Sequence, residues 1–331
     1  MDERLDFLAD VPLFAGIPEP ELEEVARVMG RVELEPGDVL FTQGQEATGL
    51  HVLESGIVQA CRRLPGGAEL EYARLGRGDV LGEIPLLDGG LRSGTVRALE
   101  PTTALFLARA DFSALVSRLH PTAFAIKRQI LRHACERLRV SHSVLVDMLG
   151  GGIPEEAEPA ETLADAGPED FADEQLPDGA YVLRLPFFRS YGEPEFAELA
   201  RDCRLVVVPS GHPILHEGSP ATACYVTVNG AIEEVIRRGG GAAGNSVRVR
   251  LCGPGRAFGY VGLIDGLPSS VSVVTRERSL LLVVPRGRFE ALFHGGTISS
   301  YAFFNAIEHD LMTALRQAQS PHARLAAARR A

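Results

Sequence analysis

The chain has no tryptophan and four methionines, and aromatic residues make up only 6% of its 331 positions. Its five cysteines, Cys61, Cys135, Cys203, Cys224 and Cys252, are dispersed and form no C-x-x-C pair. That pattern argues against a disulfide framework and suits a reducing compartment. No apolar run approaches the roughly eighteen residues of a membrane span. The opening Met1-Asp-Glu-Arg-Leu-Asp6 is charged, and no signal-type apolar stretch follows it. A soluble, cytoplasmic protein is expected. Basic residues are outnumbered, 33 Lys and Arg against 44 Asp and Glu, for a net charge of −11. A dedicated nucleic-acid binder would need the opposite balance. The sequence also lacks a G-x-S-x-G nucleophile elbow and a P-loop lysine.

What is present is a repeat. Residues 150–180 are acidic and rich in Pro and Gly, with few large apolar side chains to bury, and read as a flexible linker. The flanks match each other. Pro12-Leu-Phe14 corresponds to Pro186-Phe-Phe188, and Gly37, Gly44 and Gly56 to Gly211, Gly218 and Gly230, all at an offset of 174. From Gly78 the offset is 177, pairing Gly82 with Gly259, Asp88 with Asp265 and Phe112 with Phe289. The change falls near Gly239–Asn245, where a hairpin loop has lengthened. A register held over about a hundred residues marks a duplicated domain.

Within each copy a short amphipathic helix precedes Gly-punctuated strand segments, and helix follows. The expected fold is mainly β with flanking α: two jelly-roll-like β-rolls, each with N- and C-terminal helices. Domains are expected at 1–149 and 181–331. The helix from Pro121 to about Leu149 carries an apolar seam through Ala123, Ile126, Ile130, Ala134 and Leu138. It resumes at Leu145 and Met148, which leaves open both a packing helix and a dimerisation helix.

Residues 81–98, Leu-Gly-Glu-Ile-Pro-Leu-Leu-Asp-Gly-Gly-Leu-Arg-Ser-Gly-Thr-Val-Arg-Ala, carry the chemistry. Gly82 permits close backbone approach, and Glu83 and Ile84 open a short helix whose N–H groups can meet an anion. Arg92 can give a forked, charge-assisted contact to a phosphate, and Ser93 adds a hydroxyl. Glu83 suits a ribose hydroxyl, not a phosphate. The second copy keeps the frame at Phe258–Thr275, but Tyr260 stands at the carboxylate position and Ser269 at the guanidinium position. Losing two charged hydrogen bonds of about 1.5–3 kcal/mol each would abolish useful affinity there.

Together these motifs resemble tandem cyclic-nucleotide-binding domains, as in catabolite activators and the regulatory subunit of cyclic-AMP-dependent protein kinase. The resemblance rests on Leu81-Gly82-Glu83, Leu86-Leu87 and Arg92-Ser93-Gly94, on Asp10–Ile17 and on Pro36–Gly44. It implies that Glu83 holds a ribose hydroxyl and that Arg92 and Ser93 hold the cyclic phosphate of cyclic AMP or cyclic GMP. It implies no further cofactor and no metal. Tyr72 and Ala73 are expected to line the base pocket. Arg137-Leu-Arg-Val-Ser141 resembles a lid-helix run, so Arg137 and Ser141 are candidates for ligand contact. The catabolite activators' helix-turn-helix is missing at the corresponding place, so direct DNA binding is not expected. A protein partner or a homodimer through the 121–149 helix is.

Two other readings remain open. The rolls could serve assembly, with the first site vestigial. Gly211-His-Pro-Ile-Leu-His216-Glu217 has the flavour of a cupin metalloenzyme motif, although no third converging histidine is evident.

Overall fold

The computed structural model describes residues 3–63, 67–148, 179–237 and 246–328. Contacts divide the chain into two compact units, Met1–Leu131 and Arg132–Ala331. The division falls inside a helix, whereas the stretch expected to be a linker, 150–180, lies almost wholly outside the described residues.

The first unit begins with α1 (Glu3–Asp10), a 3-10 turn at Pro12–Phe14 and α2 (Glu19–Val28). In α2 the apolar positions Leu22, Val25 and Ala26 recur at helical spacing and are buried, while Glu23 and Arg27 pair at 2.9 Å on the outer face. Eight strands follow: β1 (Gly30–Leu34), β2 (Val39–Phe41), β3 (Gly49–Ser55), β4 (Val58–Arg63), β5 (Glu69–Leu75), β6 (Val80–Leu81), β7 (Thr95–Ala98) and β8 (Thr102–Ala108). They form two antiparallel four-stranded sheets, ordered β1-β8-β3-β6 and β2-β7-β4-β5. Phe41, Val58, Ala60 and Val96 come from one sheet and Leu53, Leu81 and Ala104 from the other, in a single buried cluster. The sheets therefore face each other, and each fully buried Val, Leu or Phe stabilises the pair by about 1.5–3 kcal/mol. Helix α3 (Glu83–Asp88) interrupts the strands. Helix α4 (Arg109–Ser117) and the part of α5 (Pro121–Met148) up to Leu131 close the unit.

The second unit repeats the plan. After α6 (Gly179–Val182), a 3-10 turn at Pro186–Phe188 and α7 (Glu193–Ala200) come β9 (Arg204–Val208), β10 (Pro213–Leu215), β11 (Ala223–Asn229), β12 (Ile232–Arg237), β13 (Ser246–Cys252), β14 (Ala257–Phe258), β15 (Ser272–Thr275) and β16 (Ser279–Pro285). Their orders, β9-β16-β11-β14 and β10-β15-β12-β13, are those of the first unit strand for strand. Helix α8 (Val261–Asp265) stands where α3 does, and α9 (Arg286–His294) and α10 (Ile298–Ala328) end the unit. The loop change at Gly239–Asn245 lies outside the described residues.

Helix α5 serves both units in turn. Up to Leu131 its buried face includes Ala123, Phe124, Ile126 and Ile130, and Thr122 donates to Glu21 at 3.0 Å. From Arg132 onward it belongs to the second unit. There Arg139 donates to both carboxylate oxygens of Asp265, at 2.6 and 3.0 Å, and to the carbonyl of Pro268 at 2.7 Å.

Candidate functional site

The first cassette starts where β6 ends. Gly82 adopts a left-handed conformation (φ 78°) that lets the chain turn from strand directly into α3. The turn is also crowded: a Cβ on Gly82 would lie 1.7 Å from Arg92 Nη1. Only glycine fits between that guanidinium and the backbone. At the other end of α3, Gly89 is again left-handed and its N–H donates to the Pro85 carbonyl at 2.9 Å. Pro85 sits in the first turn, where a missing N–H costs nothing.

Arg92 is 4% exposed. Its Nη2 donates to the Gly49 carbonyl at 2.7 Å, and the guanidinium lies 4.0 Å from the Phe41 ring centre. Nε and Nη1 are buried and donate to nothing among the described residues. Burial lowers the Arg92 pKa from its ordinary value, and the Glu83 carboxylate works against that shift. Glu83 is itself 9% exposed. A buried cation with two unused donors beside a buried carboxylate is costly to maintain unless something is to be bound.

Gly82 meets Arg92 at this point, and the Glu83 carboxylate acts on its charge. Gly82, Glu83, Ile84, Arg92 and Ser93 belong to one cassette. Ser93 is exposed, and its carbonyl accepts from Arg62 Nε at 3.4 Å. Arg62 also lies over the Tyr72 ring at 5.7 Å. Tyr72 reaches the cassette because residue 94 is glycine: a Cβ there would sit 2.6 Å from the tyrosine hydroxyl. Ala73 pairs across the ladder with Ala60, which leaves the inner side of β4–β5 without bulk. Arg137 and Ser141 lie beyond Leu131, in the second unit.

In the second unit the corresponding space is filled. Glu234 and Arg250 occupy the ladder positions of Ala60 and Ala73 and face each other in the same register. Arg250 Nη2 donates to Asp310 Oδ2 at 2.6 Å, and the Tyr260 hydroxyl donates to the same oxygen at 2.9 Å. Burial opposes the Arg250 charge, but Asp310 and Glu234 among others outweigh it and its pKa is raised. Burial, reinforced by Asp310, keeps Tyr260 neutral. About 30 Å³ remains free at this cassette, bounded by Tyr260, Ser269 and Arg250 and by Leu138 and His142 of α5.

One family model, the cyclic nucleotide-binding domain, matches residues 31–118 and again residues 205–295, together more than half of the chain. The chain belongs to the cyclic nucleotide-binding domain family. It carries the domain twice, and no helix-turn-helix is found among the described residues. The first domain is similar to the cyclic AMP receptor protein of Thermus thermophilus, 35% identical over 125 residues, which are 38% of this chain and 58% of that protein. A CRP-like cAMP-activated global transcriptional regulator of Mycobacterium tuberculosis is 26% identical over 46% of this chain and 66% of its own length. The chain thus spans less than two thirds of these relatives. Among solved structures, the regulatory domain of Toxoplasma gondii PKA with cAMP aligns over 87% of this chain and 90% of its own, at 19% identity and a TM-score of 0.35.

Several residues that matter in the two cyclic nucleotide-binding domains escape sequence reasoning. Asp310 looks like one more polar residue on a helix, although it falls among Ile307, Leu311 and Ala314, all buried. Glu234 and Arg250 had a signal: repeat alignment sets a charged pair where the first domain has two alanines. His51, 6% exposed beside Arg92, alternates into an apolar strand and has no motif to mark it. Among the described residues no group of three or more His, Cys, Asp or Glu could hold a metal ion, so the histidines at 212 and 216 form no such centre. No helix among the described residues is long and apolar enough to cross a membrane.

Proposed function

We propose that this protein is a non-enzymatic, cytoplasmic sensor whose first domain binds cyclic AMP or cyclic GMP and whose second domain binds none. Each pair of facing sheets is read as one jelly-roll-like β-roll. Arg92 carries the reading. It is a buried guanidinium with two unused N–H groups, beside a glycine that admits a backbone-close ligand and a carboxylate suited to a ribose hydroxyl. Ser93 and the α3 backbone complete the phosphate contacts, and Tyr72 and Ala73 face the base.

The second domain serves interaction. Its α8 region grips a cation where the first cassette would grip an anion: the Asp265 carboxylate and the carbonyls of Leu267 and Pro268 surround Arg139 of α5. Ligand closure over the first cassette would draw on that helix, and the ligand can shift the equilibrium only by its preference for one helix position. Output then passes to a protein partner or a second copy, not to DNA. Val140 and Val144, one turn apart and exposed on α5, support a homodimer along 121–149.

Titration calorimetry of the full chain tests the reading. Cyclic AMP or cyclic GMP should bind, and Arg92→Ala should weaken that binding by about tenfold to more than a hundredfold. A variant that binds like the parent would leave the cassette without a role.

A further inference from the structure

Arg92 also lines a cavity of about 210 Å³. Of the residues assigned above to the nucleotide, only Arg92 lines it. Its walls are otherwise Val32, Leu40, Phe41, His51 and Phe106, and its mouth is formed by Gln45, Glu46 and Thr48.

The lining states what would fit. His51 packs between two aromatic rings, 5.9 Å from Phe41 and 4.7 Å from Phe106, centre to centre. Its Nδ1 is buried with no hydrogen-bond partner among the described residues, as are Nε and Nη1 of Arg92. His51 and Arg92, both more than nine-tenths buried, line this cavity, and each carries buried nitrogens without a hydrogen-bond partner among the described residues. Burial and the neighbouring Arg92 charge push the His51 pKa down to about 3, so the imidazole is neutral and offers one donor and one acceptor. An occupant must bring negative charge to Arg92 and apolar surface to the rings and aliphatic walls. The Glu46 carboxylate at the mouth disfavours a multiply charged anion.

We propose that this cavity is a second ligand site, for a small monocarboxylate with an aromatic or aliphatic body, held by Arg92 and His51. The acid and the cyclic nucleotide approach Arg92 from different sides and compete for it. The site goes beyond the nucleotide reading and stands without it, because the remaining lining takes no part in the cassette.

The test uses the full chain and two probes, benzoate and hexanoate, followed by calorimetry. At least one acid should bind saturably at one site per chain; which one does assigns the body as aromatic or aliphatic. Thr48→Phe closes the mouth from an exposed loop position, and Phe106→Trp fills the cavity from its wall. Each should weaken acid binding at least tenfold while leaving cyclic nucleotide affinity at the parental value. The acid should also raise the apparent Kd for cyclic nucleotide in the parent. No saturable binding of either acid overturns the proposal, as does binding indifferent to both substitutions. Acid binding in a protein that ignores cyclic nucleotides would sink the nucleotide reading and keep the cavity. The reverse pattern would do the opposite.

Discussion

Arg250 and Asp310 are joined by a buried, charge-assisted hydrogen bond, Nη2 to Oδ2 at 2.6 Å. It fixes α10 to β13 at the ladder position where the first domain pairs Ala60 with Ala73. Tyr260, standing where a ribose-binding carboxylate would be, adds its hydroxyl to the same oxygen. The second domain thus joins Arg250, Tyr260 and Asp310 in one buried polar network that docks its terminal helix.

Removing one member of that network leaves a buried charge unpaired. Asp310→Ala should destabilise the second domain by about 3–5 kcal/mol. Urea unfolding of the full chain would show it as an early transition, with the first domain unaffected. Tyr260→Phe, which removes a hydroxyl but no charge, should cost about 0.5–1.5 kcal/mol.

Glu83 is assigned to a hydroxyl, so its loss should be felt as selectivity. The parent is expected to prefer cyclic AMP to its 2′-deoxy analogue by about tenfold to a hundredfold, the worth of one charged hydrogen bond. Glu83→Gln should erase most of that preference while weakening the ribose form. Equal discrimination in both proteins would remove Glu83 from the ribose.

His51 predicts an acid-sensitive window. Its folded pKa lies near 3, lowered by burial and then by Arg92, against 6.5 when exposed. As pH falls below 6.5 the unfolded chain takes up a proton that the folded chain refuses, so stability is lost with falling pH. The limiting slope is about 1.4 kcal/mol per pH unit. Between pH 6.5 and 5 the parent should lose on the order of 1–2 kcal/mol more than His51→Phe. Parallel stability curves for the two proteins would show that His51 takes up its proton in both states.

Arg139 holds α5 by contacts to Asp265 and to two carbonyls. In Arg139→Ala, amide exchange over 132–148 should quicken without ligand, and in the parent it should change when cyclic nucleotide is added. Exchange that ignores both the substitution and the ligand would separate α5 from signalling.

Much of the fold was legible because the repeat is written in glycines. Gly82 and Gly259 both adopt φ 78°, and each begins a cassette at the expected offset. The strands followed from apolar segments between such turns, and the tandem family resemblance from the motif at 81–94. Contacts that depend on partners far apart in sequence were not legible. Arg139 and Asp265 are 126 residues apart, and Arg250 and Asp310 are 60 apart. Nothing local distinguishes such residues from solvated charges, since their meaning lies in the packing of a helix on a distant loop or strand. Arg137 and Ser141 fit a lid by their local pattern, and contacts place that half of α5 in the second unit.

The central claim is that one domain binds and the other is filled by its own side chains. The stoichiometry of cyclic nucleotide binding to the full chain, measured by titration calorimetry, tests it most directly. One ligand per chain, lost in Arg92→Ala, is the predicted result. Two ligands per chain, or one that survives Arg92→Ala, would contradict it.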